Sequence, residues 1–460
     1  QTASSHTVSE SFPVAKPQHA RPASVDAANM PVQPSRRDDT GGTLQTAALV
    51  TAGVVAGATL AVLLRRISHN RAQGHSRPSA ASSALPSRLQ KCSRLVVQSV
   101  DCHCEGLPAR VVIGGAPRMQ EEQISSCRER REAFMQEHDS FRRIMLQEPR
   151  GYPCQNVDII FPPTKAEPSA AFSYIIGENA KVYPSMSGHN TICVATALLE
   201  TGLVPMQEPR TEFVLEAPIG PISISAVCKG GKALSVTFTN RPAFVATLAA
   251  KIPVPHISLE VEVDIAFGGM WYAIVDLESE HNMKIKAFDA IRGLQASAAG
   301  HIVRLGEMIK VATRENHPVQ HPDMNYPGPD ILAFRCTPAT GSDCHGRNAV
   351  VMSTGELDWD EPSTWKGNID RSPCGGGTSA VMAMLHARGK LGLNEPFRHE
   401  SILGTVFEGR LVAEASVGRG IPAVVPTITG SAWITQMTTV VLDPTDPFPE
   451  GYTLGDIWAS

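Results

Sequence analysis

Short runs of β-branched and other apolar residues alternate with turn residues from about Leu95 onward. Helical periodicity is less frequent. It predicts helices over residues 120–146 and 288–301 and over the segments that follow Ser187 and Cys374. The pattern therefore predicts a strand-rich, mixed α+β or α/β body. Turns that contain Gly, Pro and charged residues separate these runs. The runs predict strands at LVVQSVD, ARVVIGG, VDIIFPP, FSYIIG, TEFVLEAP, GPISISAV and ALSVTFTN.

The N-terminal part of the chain has a different pattern. Residues 1–42 are rich in Ser, Ala and Pro and cannot bury enough apolar surface to offset the entropy of ordering, which predicts a disordered leader. The stretch from Gly41 to Leu64 carries no charged residue and is long enough to cross a bilayer as a helix. We therefore expect one transmembrane helix at 43–66, with a buried helix or a targeting segment as alternatives. Residues 67–93 predict a flexible basic linker.

Charge separates the leader from the body. Residues 1–94 carry a net charge of +7 and the remainder −11. An acidic body disfavours contact with phosphate backbones, so we expect no nucleic-acid partner. Basic residues without acidic ones follow the apolar run, and the positive-inside rule then places the body on the cytosolic or matrix side of a membrane. The ten cysteines show neither a disulfide framework nor the ligand spacing of a metal site.

Two segments of the body align with each other in a single register, without gaps. One begins at Ser187 and the other at Cys374, so each starts with a small nucleophilic side chain in a Gly-containing turn. Each continues as an apolar helix and ends at Gly, a common C-cap residue. The echo predicts two related lobes, each offering a helix N-terminus. The identical pairs are Gly188 and Gly375, Thr191 and Thr378, Val194 and Val381, Leu198 and Leu385, and Gly202 and Gly389.

A helix N-terminus has unpaired N–H groups and partial positive charge, which lower the pKa of a cysteine and bind a carboxylate. If the two lobes face each other, an amino-acid carboxylate lies between the helix ends, and Ser187 and Cys374 flank its Cα. This arrangement suits transfer of the Cα proton without a cofactor. The alternative is an inert core cysteine and a simple N-cap serine. The pairing, with Asp370 and His189 nearby, favours a site.

At these residues the sequence resembles the proline racemase family, which includes hydroxyproline 2-epimerases and trans-3-hydroxy-L-proline dehydratases. The two motifs that carry the resemblance are Asp370-Arg-Ser-Pro-Cys-Gly-Gly-Gly-Thr378 and Met186-Ser-Gly-His-Asn190. The resemblance covers residues 95–460. Supporting stretches are Asp101-x-His103-x-Glu-Gly106 with Arg110, His138-Asp139 with Arg142, Glu148-Pro-Arg-Gly151 and Ile265-Ala-Phe-Gly-Gly269.

The resemblance implies the two-lobed fold of diaminopimelate epimerase, with pseudo-symmetric lobes and the active site in the cleft between them. The first lobe is expected over residues 94–247, joined by about 430–460, and the second over 248–429. The family also implies a small cyclic imino acid as substrate, no cofactor and no metal. Many members are homodimers.

Site residues follow from the same resemblance. The two catalytic positions fall on Ser187 and Cys374, so this chain departs from the usual pair of cysteines. The position that contacts the ring nitrogen of the substrate falls on Asp370, where His189 could assist. The positions that bind the substrate carboxylate fall on Gly188, His189, Gly375 and Gly376.

The serine bears on the choice of reaction. A hydroxyl is a far weaker acid than a thiol, whose ordinary pKa is about 8.5, so symmetric two-base racemisation should suffer. Cys374 can still act alone on one face, and a Cα carbanion can expel a hydroxyl at C3 as water. Members that resemble this chain in the Ser/Cys pairing are associated with dehydration of trans-3-hydroxy-L-proline, so the resemblance implies that reaction, which forms pyrroline-2-carboxylate. Hydroxyproline 2-epimerisation or proline racemisation is the alternative.

A third hypothesis concerns the N-terminal additions, which are unusual for a soluble metabolic enzyme. They are consistent with a membrane-anchored accessory subunit of a larger complex, with reduced or no activity. A matrix location suits proline metabolism and makes the mitochondrial inner membrane the expected location. A secretory-pathway membrane with a cytosolic body fits the charges equally well.

Overall fold

The computed structural model describes residues 95–257, 260–338, 340–353, 360, 367–455 and 457–458. The predicted leader (1–42), membrane span (43–66) and linker (67–93) lie outside this part of the chain. Among the residues that the structure describes, no helix is long and apolar enough to cross a membrane.

Most of the described strands belong to one hydrogen-bonded network, and two short strands, Val319–Gln320 and Pro327–Gly328, form a separate pair. All seven strands predicted between residues 95 and 240 are confirmed. In chain order the strands are β1 (Leu95–Cys104), β2 (Leu107–Gly114), β3 (Asn156–Phe161), β4 (Phe172–Gly177), β5 (Arg210–Ala217), β6 (Gly220–Lys229), β7 (Lys232–Thr239), β8 (Phe244–Ile252), β9 (Val261–Phe267), β10 (Trp271–Asp276), β11 (Val319–Gln320), β12 (Pro327–Gly328), β13 (Ile331–Cys336), β14 (Gly346–Ser353), β15 (Gly367–Ile369), β16 (Phe397–Glu400), β17 (Val406–Val417), β18 (Ile421–Gly430) and β19 (Ala432–Leu442).

The helices agree with the predictions less closely. The periodic segment 120–146 forms two helices that are separated at His138. The helix expected over 288–301 is wrong, because Gly293 and Leu294 have positive φ angles and interrupt the segment. A helix begins only at Ala299. The α-helices of the described residues are α1 (Cys127–Glu137), α2 (Asp139–Leu146), α3 (Gly188–Glu200), α4 (Ala299–Asn316) and α5 (Gly375–Ala387).

Two helices, α3 and α5, occupy the interior of the fold. Helix α3 packs against β1, β2, β7 and β19, and helix α5 packs against β8, β9, β17 and β18. Strands surround both helices, so almost every residue of either helix is buried and neither has a polar face. The two segments that echo each other in the sequence therefore correspond to two helices in equivalent surroundings.

The N-termini of α3 and α5 meet at a pair of glycines. A Cβ atom on Gly188 would lie 2.8 Å from Cα of Gly375, and a Cβ on Gly375 would lie 2.9 Å from Cα of Gly188. The ring of Phe238 closes the same contact from the side. Two glycines are thus what allows the helix ends to face each other at contact distance.

Several motif residues lie away from this junction and hold the fold instead. Arg110 forms a buried ion pair with Asp101 at 2.8 Å and also donates to the carbonyl oxygens of Met145 and Arg150. Arg142 pairs with Asp139, likewise at 2.8 Å. Removing one partner of the buried Arg110–Asp101 pair leaves an uncompensated charge, so that pair stabilises the fold around β1 and β2, and the pair of Arg142 with Asp139 stabilises the first turn of α2.

Candidate active site

A cavity of about 30 Å³ lies where the N-termini of α3 and α5 meet. It is lined by all seven residues that the sequence proposed for the site, so the fold brings together two segments that lie far apart in the chain. The catalytic and binding roles of these residues remain predictions. The seven are Ser187, Gly188, His189, Asp370, Cys374, Gly375 and Gly376; the other lining residues are Glu178, Met186, Gly268, Gly269, Met270, Tyr272, Ile331 and Met352.

Ser187 is the N-cap residue of α3 and has extended backbone angles. Its side chain does not cap the helix, because the hydroxyl contacts Nδ1 of His189 at 3.0 Å instead. Its carbonyl oxygen accepts hydrogen bonds from the backbone N–H and the hydroxyl of Thr191. The simple N-cap interpretation of Ser187 is therefore wrong, and its hydroxyl is available to the cavity.

Cys374 is the N-cap residue of α5. Its Sγ atom accepts a hydrogen bond from the N–H of Gly377 at 3.4 Å and lies 3.4 Å from the hydroxyl oxygen of Tyr272. Its φ angle is +61°, in the left-handed region that a cysteine rarely adopts. Strained backbone of this kind costs about 1–3 kcal/mol and persists where the surroundings fix it. Here the Ser372 hydroxyl accepts the Cys374 N–H at 3.1 Å.

The electrostatics of Cys374 differ from the sequence-based expectation. Burial raises the pKa of the Cys374 thiol well above its ordinary value, and the charge of Asp370 raises it further. The hydrogen bonds from Tyr272 and Gly377 lower the pKa of the thiol but do not outweigh burial. Desolvation of the charged form therefore outweighs the lowering of the pKa that the helix N-terminus was expected to give.

Two carboxyl groups line the cavity from different parts of the chain, and Asp370 is buried whereas Glu178 is partly exposed. Asp370 accepts hydrogen bonds from the N–H and the hydroxyl of Ser372, each at 2.8 Å, while burial raises its pKa to about 6. Burial, and then the charge of Asp370, raise the pKa of Glu178 to about 7. Like charges in one desolvated cavity favour the binding of a cation between them.

His189 is buried between Ser187 and the strands. Its Nε2 atom lies 3.3 Å from the amide nitrogen of Asn156, which donates to Oε1 of Glu178 at 3.2 Å. Burial lowers the pKa of His189 to about 3, so the ring is neutral near neutral pH. His189 therefore brings no charge to the cavity, and its effect is exerted through hydrogen bonds.

Glu178, Asn156 and Tyr272 were not predicted from the sequence, and Gly268 was noted only as part of a motif and not as a site residue. Asn156 is the first residue of β3, and Glu178 directly follows β4. Polar residues are common at strand ends, so neither residue could be recognised as functional from the sequence. Gly268 lies against α5, since a Cβ there would be 2.2 Å from the carbonyl oxygen of Gly376. The Gly-Gly pair after β9 was the one available signal.

A larger cavity of about 330 Å³ adjoins the first. Three arginines, Arg128, Arg131 and Arg314, give it a partly basic lining. The two cavities share four lining residues and therefore lie side by side. The shared residues are Glu178, Met270, Ile331 and Met352.

The family described as proline racemase matches residues 99–453 of the chain. A relative named 4-hydroxyproline 2-epimerase, from Streptosporangium roseum, is 40% identical over 363 residues, which are 79% of this chain and 99% of the relative. A second relative with the same name, from Rhizobium etli, is 37% identical over 371 residues, 79% of this chain and 96% of that protein.

Solved structures agree with the sequence relatives. A probable proline racemase from Agrobacterium radiobacter K84, with bound carbonate, has a TM-score of 0.68 and 34% identity and covers 79% of this chain and 98% of its own. A hydroxyproline epimerase from Agrobacterium vitis, with bound trans-4-OH-L-proline, has a TM-score of 0.67 and 32% identity and covers 80% and 98%. The mixed α/β fold described above is therefore shared with solved proteins over nearly their full length.

Proposed function

Because this chain belongs to the proline racemase family, we propose that it is a cofactor-independent 2-epimerase of 4-hydroxyproline. The observation that carries the proposal is the meeting of two helix N-termini at Gly188 and Gly375, which places Ser187 and Cys374 on one cavity. The names of both relatives, at 40% and 37% identity, support this substrate. The dehydration that the sequence favoured becomes the second candidate.

The helix ends supply the site for the substrate carboxylate. The first N–H groups of a helix have no partner within the helix, and they carry its partial positive charge. In α3 and α5 these groups belong to Gly188, His189, Gly375 and Gly376. A carboxylate held by two helix ends is largely neutralised, and this makes the adjacent Cα–H more acidic.

The two carboxyl groups supply the site for the ring nitrogen. A proline derivative carries a secondary ammonium group, which Asp370 and Glu178 can hold between them. Its positive charge offsets the negative charge that raises the pKa of Cys374. Substrate binding thus favours the Cys374 thiolate, so the base is formed where and when its substrate is present.

Proton transfer then needs one group on each face of Cα. The Cys374 thiolate takes the Cα proton, and the resulting carbanion is stabilised by the helix ends that hold the carboxylate. The Ser187 hydroxyl delivers a proton to the opposite face. One proton leaves Cα for Cys374 and one arrives from Ser187, and proton exchange with solvent returns both side chains to their starting forms, so the net reaction is inversion at C2 with no change in composition.

Dehydration of trans-3-hydroxy-L-proline is the second candidate, and the serine at position 187 is the observation that favours it. A hydroxyl is a weak acid, so abstraction of the Cα proton by Cys374 alone suits a reaction that needs one base. The carbanion expels the C3 hydroxyl, which leaves as water once it is protonated. The enamine that remains tautomerises to pyrroline-2-carboxylate.

Proton NMR in deuterium oxide separates these reactions. The purified full chain is incubated separately with trans-4-hydroxy-L-proline, trans-3-hydroxy-L-proline and L-proline, with Cys374→Ala as the control. The epimerase predicts a new diastereomer of the 4-hydroxy compound that carries deuterium at Cα. Conversion of the 3-hydroxy compound alone to a pyrroline would replace the epimerase with the dehydratase. If no substrate exchanges its Cα proton, both catalytic proposals fail.

The membrane anchor at residues 43–66 belongs to the proposal as well. The uncharged stretch from Gly41 to Leu64 and the basic residues after it support a single span with the body on the cytosolic or matrix side, and a mitochondrial inner membrane is the expected location. Alkaline carbonate extraction of cell membranes tests it. The anchor predicts that the full chain stays in the pellet and that a variant without residues 43–66 is released; release of both contradicts it.

Assembly is a separate part of the proposal. A homodimer and a subunit of a membrane complex are both compatible with a membrane-anchored catalytic body. The mass of the detergent-solubilised full chain distinguishes them: twice the mass of the chain supports the dimer, and stoichiometric co-purification with a large assembly supports the subunit.

A further inference from the structure

Four polar side chains connect the cavity to the start of β3 and the end of β4. The Ser187 hydroxyl contacts Nδ1 of His189 at 3.0 Å. Nε2 of the same ring lies 3.3 Å from the amide nitrogen of Asn156, and that nitrogen lies 3.2 Å from Oε1 of Glu178. His189 is 3% exposed and Asn156 is 3% exposed, so the contacts between them are shielded from water.

The donors and acceptors in this chain of contacts leave one arrangement when Glu178 is ionised. An amide nitrogen carries two hydrogens and does not accept hydrogen bonds. The Asn156 nitrogen donates one hydrogen to Glu178 and directs the other at Nε2 of His189. The opposite amide orientation would set its oxygen against the carboxylate, two acceptors facing each other. Nε2 therefore has no hydrogen, and a neutral ring then carries its hydrogen on Nδ1.

This tautomer has a consequence for the serine. Nδ1–H of His189 donates to Oγ of Ser187, so the serine's own hydrogen is not used within the chain of contacts. That hydrogen can be donated to a carbanion in the cavity. The Nδ1–H bond stabilises the negative charge that forms on Oγ as the hydrogen leaves, and this makes the hydroxyl a stronger acid.

We propose that Asn156 and Glu178 are positioning residues that fix the tautomer of His189 and thereby make Ser187 the proton donor of the reaction. The proposal rests on the proposed epimerase function and adds to it a reason why a serine can take the place of a thiol. Asn156 acts only through His189, whereas Glu178 acts through Asn156 and His189 in addition to holding the ring nitrogen of the substrate.

A direct measurement of the tautomer tests the proposal without any activity. The full chain is labelled with ¹⁵N-histidine, and the His189 signals are assigned by their loss in His189→Gln. At about pH 8, where Glu178 is ionised, Nδ1 is expected at the shift of a protonated ring nitrogen and Nε2 at that of an unprotonated one. Asn156→Ala should give a mixture of tautomers. The reverse assignment in the wild-type chain would overturn the proposal.

Deuterium exchange tests the catalytic consequence. Each C2 epimer of 4-hydroxyproline is incubated separately in deuterium oxide with the wild type, Asn156→Ala and Glu178→Gln. Inversion should fall about 100-fold in both variants, the low end of what one positioned proton donor contributes. Exchange without inversion should persist for the epimer whose Cα–H faces Cys374. The ratio of exchange to inversion therefore rises, which neither a general loss of structure nor weaker binding of the ring nitrogen in Glu178→Gln would produce.

Asp158→Asn is the matched control. Asp158 lies two residues after Asn156 on β3, so both side chains point to the same face of the strand. Both residues are buried, and within the described residues neither carboxyl oxygen of Asp158 has a hydrogen-bond partner. This substitution should leave inversion and exchange unchanged. An equal fall of exchange and inversion in Asn156→Ala, with Asp158→Asn active, would show that Asn156 is merely structural.

The two measurements also distinguish failure of this proposal from failure of the proposed epimerase function. A wild-type chain that neither exchanges nor inverts any imino acid would refute the proposed function, while the ¹⁵N shifts would still decide the tautomer. An active wild type with an unchanged ratio in both variants would refute the role of Asn156 and Glu178 alone.

Discussion

The N-termini of α3 and α5 occupy equivalent positions in the fold but surround their first side chains differently. Ser187 is connected through His189 and Asn156 to the carboxyl group of Glu178. The sulfur of Cys374 instead lies beside the N–H of Gly377 and the hydroxyl of Tyr272. The serine, a weak acid, is therefore supported by a histidine that itself contacts a buried amide. The cysteine is intrinsically a stronger acid, and its sulfur contacts the N–H of Gly377 and the hydroxyl of Tyr272 directly.

An asparagine and a histidine also lie near the start of α5, but they form other contacts. Asn348 donates to the carbonyl oxygen of Pro373 at 2.8 Å, and Nδ1 of His399 lies 2.9 Å from the Thr378 hydroxyl. These contacts hold the turn before Cys374 and the first turn of α5. The comparison teaches that the asymmetry of the two helix ends extends beyond the serine itself to the residues that support it.

Replacing Cys374 with serine, so that a hydroxyl side chain precedes both helices, should have the largest effect on activity. In Cys374→Ser the new hydroxyl has a far higher pKa than a thiol, so it cannot act as the base. We expect kcat to fall about 10⁴-fold, the upper end of the contribution of one acid–base group, with little change in Tm. Epimerisation assays and thermal unfolding measure both quantities. A variant that keeps a tenth of the activity would show that the sulfur is not needed.

Moving the helix ends apart tests whether their contact matters. In Gly188→Ala the new Cβ would lie 2.8 Å from Cα of Gly375 and 3.0 Å from the ring of Phe238, and two backbones cannot both stay in place. We expect the free energy of unfolding to decrease by about 1–3 kcal/mol, as at other overpacked sites. We also expect KM to rise, because the site that binds the carboxylate is distorted.

Thermal unfolding and steady-state kinetics check this prediction, with Gly202→Ala as the control. Gly202 follows α3 and a Cβ there meets nothing within 4 Å, although its positive φ of 73° adds a local strain of its own. A Gly188→Ala protein with unchanged KM would mean that the helix ends do not bind the substrate.

The site was predictable from sequence where the signal is local. The similarity between the segments after Ser187 and Cys374 predicted both helices and the residues after which they begin, because a helix start is encoded by adjacent residues. Glu178 and Asn156 were not predictable, because their importance arises only when β3 and β4 pair beside α3. The direction of the Cys374 pKa shift also depends on burial by distant strands, which a motif does not contain.

The carboxyl groups predict a dependence on pH. The pKa of Asp370 is raised to about 6, so its ionised form, which attracts the cationic ring nitrogen, is present above that value and lost below it. We expect kcat/KM to fall as the pH drops through about 6, by up to about tenfold per pH unit. Asp370→Asn should be weaker at all pH values and flatter in this range. An acid limb that persists in Asp370→Asn would assign it to Glu178, whose pKa is raised to about 7.

The smallest effect on activity is expected when Ser187 is replaced with cysteine, so that a thiol side chain precedes both helices. In Ser187→Cys the residue at position 187 is intrinsically more acidic, so it depends less on the hydrogen bond from His189. We expect inversion to change only a few-fold, since one general acid replaces another. The informative measurement is a double-mutant cycle with Asn156→Ala, because residues that act through one network are not additive. Loss of Asn156 should cost far less in the thiol background than in the wild type. Equal costs in both backgrounds would mean that Asn156 supports the fold near α3 and not the acidity of the serine.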